Sequence, residues 1–117
     1  MADAALFIGF DKASRGRETR ALQVFQDSLA YYARLQSSGA IESFEPVLLA
    51  PHGGDLGGFI LLRGDRAKLD EVRSSEEFRG LIARGLLSVD GLGVIDANIG
   101  GGVGTFLAQW SALIAGL

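Results

Sequence analysis

The chain has no cysteine and only one histidine among its 117 residues. Disulfides, thiolate nucleophiles and cysteine-based zinc sites are therefore excluded, and a lone imidazole with scattered carboxylates lacks the ligand spacing of a metal site. No metal and no cofactor is expected. Proline occurs twice and tryptophan once. Lys and Arg total 11 against 14 Asp and Glu, a net charge of −3, and the basic residues form no dense run. A nucleic-acid binder needs a basic stripe to displace phosphate counterions, so no nucleic-acid partner is expected either. The segment 1–10 has neither a basic stretch nor a long apolar run, which argues against a secretory leader. Together with the missing cysteine, this suggests a cytoplasmic location.

One long stretch lacks charge. Residues 97–117 carry no ionisable side chain and are numerous enough to cross a bilayer. Asn98, Thr105, Gln109 and Ser111 interrupt the stretch, glycines crowd its first half, and no basic anchors flank it. The expectation is a buried C-terminal helix over about 103–115, with no membrane partner. Val103, Phe106, Leu107, Trp110, Leu113 and Ile114 recur there at helical spacing.

Glycine is plentiful, at 17 residues. Most of it clusters at 53–58 and 91–104, where it marks turns. Between the turns, apolar runs at 4–10, 41–50, 57–63 and 86–98 predict strands. A helix over 17–38 places Leu22, Phe25, Leu29 and Tyr32 on one stripe, and Gly39 sits where a left-handed cap belongs. Pro46 cannot donate a ladder hydrogen bond, so the second strand belongs at a sheet edge or at a bulge. Asp65 is a good cap for a short helix containing Leu69 and Val72. Ser74-x-x-Glu77 then reads as a capping box that restarts the helix, with Phe78, Leu81, Ile82 and Gly85 facing inward. The fourth strand turns Leu87, Val89 and Ile95 to one side and Leu92 and Val94 to the other.

Two β-α-β units joined by a hairpin predict a single α+β domain over 1–117 on the split β-α-β plan. Right-handed crossovers then select a four-stranded antiparallel sheet of order 4-1-3-2, with helices on one face and a further C-terminal helix. Strands one and three are apolar on both faces. The face away from the helices must be covered, by a second copy across a twofold axis or by the C-terminal helix.

This order of elements resembles the dimeric α/β-barrel superfamily of ferredoxin-like domains. Gly16-Arg17-Glu18, Ile41-Glu42-Ser43-Phe44-Glu45-Pro46 and Pro51-His52-Gly53-Gly54-Asp55 resemble an uncharacterised bacterial family within it. The resemblance implies a homodimer. It does not imply one chemistry, because that superfamily includes cofactor-free monooxygenases, isomerases, haem-dependent peroxidases and ligand-sensing domains.

Several residues are candidates for chemistry. His52 lies three residues before Asp55 in the glycine-rich hairpin, the pattern of an acid/base imidazole steered by a carboxylate. The plainer reading is a loop imidazole that caps backbone groups. Arg17, with Arg15, opens the first helix and is placed to hold an anion, or simply to face solvent. Tyr32 suits a core with a polar tip or a pocket wall. Asp96 and Asn98 share a strand face with Leu92 and Val94, where they line a cavity or mark a wetter strand end. The glycines at 100–104 lack the Lys-Ser/Thr of a phosphate loop and read as a hinge. Three functions fit these residues. They are a homodimeric small-molecule binder with its pocket between sheet and helices, a cofactor-independent enzyme with His52 as base, and a structural or interaction domain.

Overall fold

A computed structural model describes residues 2–117. The elements run β1 (Ala4–Phe10), α1 (Glu18–Ser38), β2 (Ser43–Leu48), β3 (Gly58–Gly64), α2 (Arg66–Ser74), α3 (Glu76–Leu86), β4 (Gly93–Asn98) and α4 (Gly101–Ala115). The four strands form one sheet of order β2-β3-β1-β4 with every neighbouring pair antiparallel, which is the predicted order. Pro46 lies in β2 at the sheet edge, where its missing N–H costs no ladder bond. Gly39 ends α1 at φ +82°, a conformation that a Cβ would disfavour, and its N–H donates back into the last turn.

The register decides which residues share a face. Leu6 lies opposite Leu62 and Asp96, while Phe7 lies opposite Leu61 and Ile95. On the first face, Ala4, Leu6, Ile8, Ile60 and Leu62 form one buried cluster with helical residues. Those are Val24, Tyr31 and Tyr32 of α1, Leu69 and Val72 of α2, and Phe78 and Leu81 of α3. On the second face, Phe7 and Phe59 stack with ring centroids 4.8 Å apart, beside Leu61 and a largely exposed Ile95. Among the described residues, the buried helical side chains belong to the first face, and α4 has none. Gly9 makes that stack possible, since a Cβ there would lie 2.6 Å from the Phe7 ring. The sheet is apolar on both faces, as its sequence predicts.

Ion pairs tie α1 to α3. Arg84 donates to Asp27 at 2.7 Å, and Arg34 donates to Glu77 at 2.7 Å. The hydrogen bond from Arg84, aided by one from Gln23, holds the Asp27 carboxyl below its ordinary value of 3.8. A carboxyl depressed in the folded state adds stability above its unfolded pKa and loses it as pH falls through the folded one. Asp27→Asn is therefore expected to flatten the decline in stability below the ordinary value of 3.8, as read from urea midpoints across the acid range. At neutral pH the effect is small, because both partners are solvent-exposed.

Three elements depart from expectation. The capping box expected at Ser74 and Glu77 is replaced by a simple N-cap one residue later. Ser74 is the last helical residue of α2, and Ser75, in extended backbone, accepts the Phe78 N–H at 3.2 Å. Glu77 is thereby freed to pair with Arg34. The fourth strand covers only Gly93–Asn98, because α3 continues to Leu86 and a turn follows it. Ser88 secures that turn by donating to Arg84 O at 2.7 Å, which leaves Leu87 out in solvent. Finally, the C-terminal helix has no buried residue in the chain. At Gly100 the chain turns at φ +51°, and Gly102 passes so close to the Asp3 carbonyl that no side chain fits. The helix is directed away from its own sheet. The radius of gyration is accordingly 15.8 Å, against roughly 13 Å for a compact chain of this length. Among the described residues, no helix is long and apolar enough to cross a membrane.

Candidate functional site

The helix-covered face of the sheet is not filled everywhere. Between β1, β3, α1 and α3 lies a cavity of ≈ 290 Å³. Ile8 and Ile60 form its floor, Phe25, Ser28 and Tyr32 of α1 one wall, and Leu81, Ile82 and Gly85 of α3 the other. Phe10 meets Phe25 edge-on at 6.1 Å between centroids, closing the wall near the mouth. Asp11, Lys12, Glu18, Leu22, Leu48 and Val89 frame the opening.

Backbone pairing holds that frame. The chain leaving β1 is clamped to the turn after α3 by three hydrogen bonds at 2.8 Å. These run from Asp11 N to Asp90 O, from Asp90 N to Lys12 O and from Ser14 N to Ser88 O. Ser14 Oγ adds a bond to Asp90 Oδ1 at 2.7 Å. On the other side, Gly57 N donates to Phe10 O at 2.8 Å. The mouth is thus built from two glycine- and serine-bearing turns held by backbone bonds.

Polar groups inside are few. Tyr32 is 1% exposed, and burial, with a smaller contribution from Tyr31, pushes its phenol well above the ordinary value. Tyr32 is therefore a neutral donor and acceptor at physiological pH. Nearby, Tyr31 Oη lies 3.5 Å from Ser75 Oγ. Ser28 Oγ donates to Val24 O at 2.7 Å, which leaves its lone pairs free to accept. At the mouth, backbone N–H groups of Glu18 and Gly16 lower the Glu18 carboxyl, so it is an anion at neutral pH. The chamber is apolar, with the Tyr32 phenol in its wall and charge only at its rim.

The candidates read from sequence scatter around this chamber, and Tyr32 alone lines it. His52 Nδ1 accepts the Gly54 N–H at 3.2 Å, and its Nε2 donates to Leu56 O at 2.6 Å. Both ring nitrogens are thus spent on the loop's own backbone. Asp55 makes no hydrogen bond to it among the described residues. Arg17 is exposed at the N-cap of α1. Asp96 accepts a hydrogen bond from Arg73 at 2.7 Å and forms an ion pair with Arg66 at 3.3 Å, without a hydrogen bond. The same arginines donate to Val94 O and Ala97 O at 2.9 and 2.8 Å, covering carbonyls of the edge strand β4. Asn98 is exposed at the end of that strand. No group of three or more His, Cys, Asp or Glu able to hold a metal occurs among the described residues. Ser28 was readable as a site residue, since it falls between Phe25 and Tyr32 on the apolar stripe of α1. A polar residue at such a position is the signal.

No protein-family model and no curated protein sequence matches the chain. Solved structures do. A dimeric ferredoxin-like protein of unknown function from Jannaschia sp. superposes with a TM-score of 0.65 at 12% identity, covering 82% of this chain and 98% of that one. A hypothetical protein of Arabidopsis thaliana gives 0.63 at 13% identity, over 86% and 90% of the two chains. A Chloroflexus aurantiacus protein, provisionally described as an antibiotic biosynthesis monooxygenase, gives 0.54 at 16% identity, over 85% and 95%. With a plant protein among these neighbours, the likeness carries no bacterial origin with it. The chain has the ferredoxin-like fold.

Proposed function

We propose that this chain acts as a homodimer that binds a small, largely apolar molecule between its sheet and helices. The observation that carries the reading is the chamber of ≈ 290 Å³ with the neutral Tyr32 phenol in its wall. Its walls are apolar and open to water through the mouth, and a ligand that covers them recovers the free energy of removing that surface from water. Its volume lies near the lower end of small-molecule sites and suits a one- or two-ring compound. Tyr32 supplies a hydrogen bond for one polar group of the ligand, and Ser28 a second acceptor. No cofactor belongs to this reading.

Dimerisation is supported by the apolar open face around Phe7, Phe59, Leu61 and Ile95, and by the Jannaschia neighbour, which is itself described as dimeric. On this reading the chain belongs with the dimeric α/β barrels and their bacterial family, and works in the cytoplasm. We assign His52 to organising its loop, Asp96 to holding Arg66 and Arg73 over β4, and no ligand contact to Arg17, Asp55 or Asn98. The second reading, a cofactor-independent enzyme, draws on the description of the Chloroflexus neighbour. It uses the same chamber but needs a base that reaches into it.

Titration with naphthalene and 1-naphthol, followed by calorimetry, tests the proposal. Ser28→Leu fills part of the chamber and is expected to weaken both ligands about tenfold, as over-packing a site costs on the order of 1–3 kcal/mol. Tyr32→Phe should weaken naphthol roughly fivefold, one hydrogen bond's worth, and leave naphthalene unchanged. His52→Ala should leave both ligands unchanged. Equal affinities in wild type and Ser28→Leu would show that the chamber is not the site.

A further inference from the structure

Val103, Phe106, Leu107, Trp110, Leu113 and Ile114 span an arc of about 120° on α4, given 100° per residue. All six are exposed, with Trp110 at 56% and Leu113 at 69%. Thr105 and Gln109 lie on the other side of the helix, and residues 99–117 carry no charge at all. A helix with this stripe is not stable in water on its own account, since most helical stability comes from burying an apolar face.

We infer that α4 is an exchanged arm whose large apolar stripe lies against a second copy of this chain. This rests on the proposal that the open sheet faces pair, and extends it. Four strands about 4.8 Å apart, each roughly 20 Å long, give an open face of only ~400 Å². A stable dimer covers ~800 Å² on each partner. The face alone falls short by about half. The 15 residues of α4 form a rod ~22 Å long and ~10 Å across, so half its surface supplies roughly 350 Å². The face and the arm together reach the area that a stable dimer needs. The route of the chain agrees, because the turn at Gly100 and the approach of Gly102 to Asp3 carry α4 away from its own sheet. A lipid surface suits the arm poorly. Interfacial helices bear Lys and Arg opposite the apolar stripe, and here there is none.

Trp110, the only tryptophan, reports on the arm. Sedimentation and indole emission are measured together across a dilution series. Wild type should sediment at twice 12.3 kDa with a shielded indole, and its emission should shift to that of a solvated indole as the dimer dissociates. The double variant Leu113→Glu, Ile114→Glu keeps the whole core and the reporter. It should weaken the dimer about 100-fold, the loss expected when two large apolar side chains leave a buried site.

Other results overturn the inference in distinguishable ways. A wild-type dimer with a solvated indole, and unchanged affinity in the variant, would remove the arm from the interface while leaving paired sheets standing. A shielded indole that ignores dissociation would place the arm on its own chain. Shielding only after addition of uncharged phosphatidylcholine vesicles would assign the arm to lipid. A single-chain mass at micromolar concentration would sink the paired sheets as well.

Discussion

Gly57→Ala is expected to cost about 3 kcal/mol, at the upper end of what over-packing a tight site costs. A Cβ at this position would land on the carbonyl of Asp11, and backbone atoms cannot swing aside as a side-chain tip can. The clash falls where Gly57 N donates to Phe10 O and Leu49 N donates to Gly57 O, so one methyl group disturbs both bonds. Because Asp11 also frames the chamber, naphthalene affinity should fall along with the urea midpoint. Gly80→Ala supplies the opposite sign. Gly80 lies inside α3 with nothing near its missing Cβ, so alanine there should stabilise by up to ~1 kcal/mol through helix propensity. Destabilisation by both variants, or by neither, would contradict the close packing at Gly57.

Leu62→Ala should be as damaging for a different reason. Leu62 sits in β3, 0% exposed, opposite Leu6 in β1 and Phe44 in β2, beneath the helices. Truncation removes buried methyl groups and leaves a hole among neighbours that relax only in part, a loss of about 3 kcal/mol. Leu87→Ala, at 70% exposure, serves as the control and should stay within about 0.5 kcal/mol of wild type. Both belong at one protomer concentration, since association adds to apparent stability. A loss below about 1 kcal/mol at Leu62 would mean that the sheet and helices are not packed as described.

Much of the fold was legible because it rests on local rules. Pro46 marked an edge strand by lacking a donor, and Gly39 marked a helix end by tolerating positive φ. Asp65 capped α2 through the Lys68 N–H at 3.2 Å, as its position promised. The misreadings also have local causes. The run from Leu86 to Val94 is apolar enough to pass for a long strand, and a short apolar run does not tell helix from strand by periodicity. Two adjacent serines left the start of α3 ambiguous by one residue, and only the extended backbone at Ser75 chose between them.

Of the candidate residues read from sequence, Tyr32 is the one that lines the chamber. Neighbourhood in sequence suggested a dyad of His52 and Asp55, but the imidazole instead meets Gly54 N and Leu56 O in its own loop. A chamber cannot be read from one segment, because it is the space left over after four elements meet. The direction of α4 is of the same kind. Its amphipathic stripe is written in its residues, but which surface the stripe faces depends on how Gly100 and Gly102 pass Asp3.

Periodicity, capping residues and the handedness of crossovers act over a few residues at a time, so the elements, their order in the sheet and its two greasy faces follow from the chain alone. The chamber, the arginines on Asp96 and the outward course of α4 depend on side chains far apart in sequence filling, or failing to fill, a shared space. Packing is a property of the assembled volume, and only the folded molecule settles it.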